Sequence, residues 1–196
     1  MDAAFCLRAI QYFPDARYTL IEPQADLQRH VQDLVDHGYR IEWLAIGAGN
    51  EPGMLDFTIS PRADSSSFLP TRQEAAFSGR SQIRVEVSTL NELVRSRHLP
   101  IPEMVKIDAE GFDLKVLAGA SDLLGKTEIF LVEAAVVARN LENTAAAVMD
   151  AMTTSGYRLV DITDLNRSPK HDALWLCEFA FINNTNSLLD GIQSYD

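Results

Sequence analysis

Val105–Ala120 reads VKIDAEGFDLKVLAGA. With Met104 before it, the stretch opens as a short buried strand carried by Met104, Val105 and Ile107, and it turns at Asp108–Gly111. Phe112, Val116, Leu117 and Ala120 then recur at spacings of four, one and three, which lays them on one face of a helix. Glu110 and Asp113 fall in the opening turn, where carboxylates suit the positive end of the helix dipole. A strand that runs straight into a helix is half of a βαβ unit. Ligands in such folds gather at the carboxyl ends of the strands, where Asp108 and Glu110 fall. The spacing predicts an α/β fold and one edge of a site, without naming its chemistry.

Lys106, Ile107, Asp108, Glu110, Gly111, Leu117, Gly119 and Ala120 together spell lysine, isoleucine, aspartate, any residue, glutamate, glycine, and a helix ending in leucine, any residue, glycine, alanine. That wording closely resembles the signature of FkbM-type methyltransferases, which use S-adenosylmethionine (SAM). The resemblance runs over roughly residues 5–182 and implies a Rossmann-like α/β domain with a mostly parallel sheet and an antiparallel last strand. It also implies SAM as the cofactor, and O-methylation of a hydroxyl on a sugar, a glycan or a secondary metabolite.

Composition agrees with this class. A chain of 196 residues, 46% of them hydrophobic, is read as a single domain with a real core, 183–196 forming a polar tail. A formal net charge of −11 argues against nucleic acid or an anionic membrane surface as a partner. No apolar run reaches the ~18–20 residues a membrane span needs, and no signal peptide is visible, so the expected location is the cytoplasm. Cys6 and Cys177 lie among apolar residues and lack metal-ligand spacing, which predicts buried thiols.

In chain order, a helix over 3–12 is followed by a strand over 18–21 that ends in Glu22–Pro23. An acid at the end of the second strand can take both ribose hydroxyls of a nucleotide cofactor, and it can equally be a surface acid before the apolar-faced helix of 24–37. The resemblance favours the first and places Glu22 on the SAM ribose. It also implies a first strand and a glycine-rich turn ahead of the first helix. Met1–Ala4 already lies where that helix begins, so the expected fold is truncated at its N-terminus. The glycines of GAGNEPG (residues 47–53) do not replace that loop: the spacing is not G-x-G-x-x-G and a strand follows. Asn50–Gly53 reads as a hairpin turn between strands at 41–46 and 54–59. The resemblance puts Ala45 and Gly47 near the adenine, while the residues alone allow a plain tight turn.

Residues 60–82 read as a loop, with Ser65–Ser67 either solvated or, by the resemblance, covering cofactor or substrate. A half-exposed strand over 83–87 leads to Thr89, which caps a helix with Glu92 in a capping box. Asn91 stands where the family usually has aspartate and reads as a conservative change for capping. EIFLVE (128–133) is a strand buried on both faces, with Glu133 beside Asp108 if the two strands are neighbours. A helix over 141–155, a strand over 157–162, a polar loop over 164–172 and a strand over 173–182 complete the chain.

The chemistry rests on carboxylates. Methyl transfer to a hydroxyl needs alignment, a base for the proton, and negative charge near the positive sulfonium. Asp108 is read as base or substrate orienter and as a cofactor contact, Glu110 as the second catalytic candidate, and Lys106, one strand period back, as the third. For Glu110 and Lys106 a structural ion pair or helix-dipole contact is the competing reading. His30, His37, His98 and His171 read as surface residues, with His171, in the loop before the last strand, the one that could reach a substrate. DAEGFD lacks the alternating ligands of a calcium loop and contains no histidine, so no metal is expected. A nicotinamide enzyme would share Glu22 but gains nothing from the Lys106–Gly111 motif. The alternative from another class is a degenerate methyltransferase fold acting as a structural or partner-binding module. A homodimer filling the gap in the sheet is a further expectation.

Overall fold

A computed structural model describes residues 4–61, 65–137 and 141–191. The chain forms two compact units, Met1–Ser88 and Thr89–Asp196. The first opens with α1 (Ala4–Tyr12), whose Cys6 and Ile10, four residues apart, are both buried. Strand β1 (Arg17–Ile21) runs parallel to β2 (Arg40–Leu44), in register from Arg17 opposite Arg40 to Ile21 opposite Leu44. Parallel strands need a crossover, supplied by a 3₁₀ turn at Ala25–Gln28 and α2 (Arg29–Asp36), which buries Val31. Gly38, at φ +91°, stops that helix in the left-handed conformation glycine adopts without strain.

A second, three-stranded sheet follows in the same unit: β3 (Gly47–Ala48), β4 (Gly53–Thr58) and β5 (Gln82–Ser88). Its order is β3-β5-β4, with β3 parallel and β4 antiparallel to β5. The hairpin expected at Asn50–Gly53 does not form. The bend carries the chain across to the other side of β5, so the strands it joins flank β5 instead of pairing with each other. The segment read as a loop over 60–82 contains α3 (Arg72–Phe77), closed by a full capping box. Thr71 Oγ1 accepts from Glu74 N at 3.3 Å, and Glu74 Oε2 accepts from Thr71 N at 2.8 Å.

In the second unit, α4 (Leu90–Ser96) is capped by Thr89, whose side chain accepts from Glu92 N at 3.0 Å. Asn91 does not cap. Its Nδ2 donates to Ser121 Oγ and its Oδ1 accepts from Asp122 N, both at 2.9 Å, tying the start of α4 to the turns after the next helix. Four strands form one sheet in the order β6-β7-β9-β8: β6 (Met104–Ile107), β7 (Ile129–Ala135), β8 (Tyr157–Arg167) and β9 (Leu174–Asn183). β6 and β7 are parallel, and β9, the last strand, is antiparallel to both its neighbours. Helix α5 (Asp113–Ala118) joins β6 to β7, and α6 (Ala145–Thr154) joins β7 to β8. The organising stretch folds as read: Phe112, Val116, Leu117 and Ala120 are all buried. Phe130 and Tyr157 meet edge to face at 5.2 Å, and the Tyr157 hydroxyl donates to Thr127 O at 2.7 Å.

Among the described residues the fold is therefore mixed α/β, with parallel pairing in each of three sheets, whereas the sequence predicts one mostly parallel sheet. β8 runs five residues past its expected end because the chain keeps pairing with β9 through irregular registers as far as Arg167. The start of the polar tail is held, not loose: Asn183 is buried and Asn186 Nδ2 donates to Glu128 Oε2 at 2.5 Å. Both cysteines are free and buried, and burial pushes both thiols up from their ordinary value. Among the described residues no helix is long and apolar enough to cross a membrane.

Candidate active site

The second unit gathers the acids at the end of its parallel pair. Ile107 lies opposite Val132, so Asp108, just past the end of β6, and Glu133, two residues before the end of β7, emerge side by side. Lys106 and Asp108, two residues apart, share a face of the strand. The Lys106 ammonium lies 3.4 Å from Asp108 Oδ2 and is bonded to Glu178 Oε2 of β9. Glu178, a buried acid that needs a counter-charge, sits opposite Glu133 in the β7–β9 register. Lys106 supplies the missing charge, and Thr163 Oγ1 of β8 donates to the other Glu178 oxygen at 2.9 Å. Burial works against the Lys106 charge, but Asp108 and Glu178 outweigh it and hold its pKa above the ordinary value.

Glu110 is carried by the turn, at φ +52°, and Gly111 follows at φ +92°. A non-glycine residue in that region is strained, so something must hold it. Asp113, fully buried at the start of α5, accepts from Ala109 N at 2.9 Å and from Gly111 N at 3.0 Å, the amides on either side of Glu110. Asn143, also buried, donates its Nδ2 to Asp113 Oδ2 at 2.9 Å and to the Glu133 carbonyl at 3.0 Å. Asp113 thus does more than complement the helix dipole: its carboxylate fastens the turn.

One carboxylate oxygen from each of Asp108, Glu110 and Glu133 lies within 4.8 Å of the others. The crowding shows in the charge states. Burial first, then the charges of Asp108, Glu110 and Asp113, push the Glu133 carboxyl up to about 8 against the opposing pull of Lys106. Burial raises Asp113 to about 6, against the bonds from Ala109 and Gly111 that favour its anion. Three acids at this spacing would also admit a cation, though such groups are common without one, and nothing else at the cluster points to an ion.

The remaining predicted residues lie in the first unit. Glu22, at the end of β1, is buried, and its Oε1 accepts from Gln24 N at 2.9 Å and Gln24 Nε2 at 3.3 Å. Ala45 is exposed beyond β2. Gly47 is buried in β3, where a Cβ would stand 2.5 Å from the Phe68 ring and 3.0 Å from Val87 Cγ2. Glycine is thus required there by packing, whatever it does for a ligand. Gly47→Ala is expected to cost about 1–3 kcal/mol, because Phe68 also packs on Phe57 and has to shift. A melting curve unchanged by the substitution would show that the ring moves aside freely. Ser66 and Ser67 are buried with their hydroxyls accepting from Ser60 N and Leu69 N at 3.0 and 3.1 Å, which fixes the loop's own backbone. All four histidines are exposed.

Thr163, Glu178 and Asn143 have no part in the sequence reading. Glu178 left a signal, a lone charge inside the apolar strand LWLCEFAFIN, which calls for a buried partner. Asn143 left none, since it reads as one more polar residue before a helix.

Carboxylates converging at the carboxyl ends of adjacent parallel strands mark the place where α/β enzymes bind and act on their ligands. The chain belongs to the FkbM methyltransferase family: the family model described as Methyltransferase FkbM domain matches residues 2–159. The match takes in Lys106, Asp108, Glu110 and Glu133 and ends inside β8, so Thr163 and Glu178 lie beyond it. No curated protein and no solved structure matches the chain.

Proposed function

We propose that this methyltransferase moves a methyl group from SAM to a hydroxyl oxygen of a sugar, a glycan or a secondary metabolite. The observation that carries the reading is the convergence of Asp108, Glu110 and Glu133 within the family's own motif and at the adjoining strand end. Glu22 suits the cofactor's ribose: it is a buried carboxylate at a strand end, its rotamer fixed by the Gln24 amide, and a carboxylate can accept from two hydroxyls at once. When bound, SAM supplies an electrophilic methyl group on a positive sulfonium.

The chain's own residues do the rest. Asp108 orients the acceptor hydroxyl and takes its proton, with Lys106 restraining the carboxylate. Glu110 adds negative charge beside it, which favours a cationic ligand. Glu133, pushed up to about 8, carries a proton near neutrality and can donate a hydrogen bond that an ionised acid cannot. The second reading, a module without activity, draws on one feature: Glu22 Oε1 already accepts from both nitrogens of Gln24.

Calorimetric titration with S-adenosylhomocysteine separates them. Micromolar binding is expected, weakened roughly 10–100-fold in Glu22→Ala, the worth of hydrogen bonds to a charged group. A folded chain that takes up no S-adenosylhomocysteine would leave the module reading standing.

A further inference from the structure

The hydrogen bonds of Asp113 and Asn143 run through the backbone that carries Glu110 and Glu133. The Asp113 carboxylate accepts from three N–H donors: Ala109 N, Gly111 N and Asn143 Nδ2. Two of these are the amides bracketing Glu110, whose left-handed backbone would relax elsewhere if they were released. Asn143 closes the arrangement by bonding the same Nδ2 to the carbonyl of Glu133, so the turn after β6 and the end of β7 are fastened to each other. Both of its partners are acceptors, so the orientation of the amide is forced. Among the described residues its buried Oδ1 has no hydrogen-bond partner, so the amide's place is set by its two donor bonds and not by its oxygen.

We infer that Asp113 and Asn143 are positioning residues that hold Asp108, Glu110 and Glu133 in the geometry methyl transfer uses. The inference rests on the methyltransferase reading for its purpose, and on the hydrogen bonds alone for its geometry. The two therefore fail separately. Asn143→Leu is the sharpest variant: it is nearly isosteric, removes the donors, and removes the unpartnered oxygen with them. Asn143→Ser, shorter and unable to span both acceptors, serves where leucine does not fold.

Two readouts decide it on the full chain. Carbon-13 titration of the Glu133 carboxyl reads the cluster directly, since it senses Asp108, Glu110, Asp113 and Lys106. Its midpoint is expected to fall by about one unit or more in either variant, because neither changes a charge and a loosened cluster is better solvated. Calorimetry with S-adenosylhomocysteine is expected to show affinity reduced roughly tenfold or more, as a misplaced contact costs. A Glu133 midpoint unmoved in a folded variant overturns the inference, and so does failure of both variants to fold, which would make the link a requirement of folding. Should wild type bind no S-adenosylhomocysteine while the midpoint still shifts, the positioning stands and the methyltransferase reading falls.

Discussion

Replacing Lys106 with methionine is expected to destabilise the chain by about 3–5 kcal/mol at neutral pH, the usual loss when one partner of a buried ion pair is removed. The exposure of the pair decides the size: the Lys106 and Glu178 side chains are only 12% and 11% accessible. A surface pair would be worth less than about 1 kcal/mol. Methionine keeps the bulk of the lysine stem, so the loss measures charge and not a cavity. What remains is a buried Glu178 that keeps the Thr163 hydrogen bond but loses the ammonium, and Asp108 without that counter-charge. In this chain length the melting point should drop by roughly 10 °C. Glu178→Gln is expected to cost less, since Lys106 keeps Asp108 and Thr163 keeps an acceptor. Urea unfolding of the three proteins checks the order. A loss under about 1 kcal/mol in Lys106→Met would mean that water reaches the pair freely.

That pair also shows where sequence reading stopped. The face shared by Lys106 and Asp108 follows from a strand period of two, and the neighbourhood of Asp108 and Glu133 follows from two parallel strands lying side by side. Both were legible because they depend on local periodicity and one adjacency. Glu178 depends on β9 inserting antiparallel beside β7, a pairing across more than forty residues that no local pattern fixes. Asn143 is further from reach, since a loop residue bonding to a helix start and a strand carbonyl has no spacing rule at all. The missed α3 is a different case. Thr71 and Glu74 spell a capping box as plainly as Thr89 and Glu92 do, but prolines and a serine run around them gave the segment the look of a loop.

The unfolding free energy is expected to fall as pH rises from about 5 to about 8, and Glu133→Gln is expected to flatten most of that slope. The sign follows from proton counts. An unfolded glutamate titrates near ~4.3, whereas Glu133 in the folded chain is raised to about 8. Between those values the native state holds a proton that the unfolded chain has released, so stability is lost with rising pH, by at most about 1.4 kcal/mol per pH unit for one proton. Asp113, raised to about 6, adds to the slope below pH 6 and is levelled above it. Above about pH 8 both contributions are flat. Glutamine keeps the shape and a hydrogen-bond donor while removing the charge, so it matches wild type near pH 5 and exceeds it at pH 8.5. The expected gain is of the order of 2 kcal/mol, the full linkage value being discounted for a side chain that water partly reaches. Denaturant midpoints of both proteins across pH 5–9 test this. Parallel curves would mean that Glu133 ionises like a surface carboxylate and that the crowding of Asp108, Glu110 and Glu133 is relieved in solution. Divergence that begins near pH 5 and grows until about pH 8 would show instead that the strand end stores unfavourable charge, which an arriving cationic ligand can release.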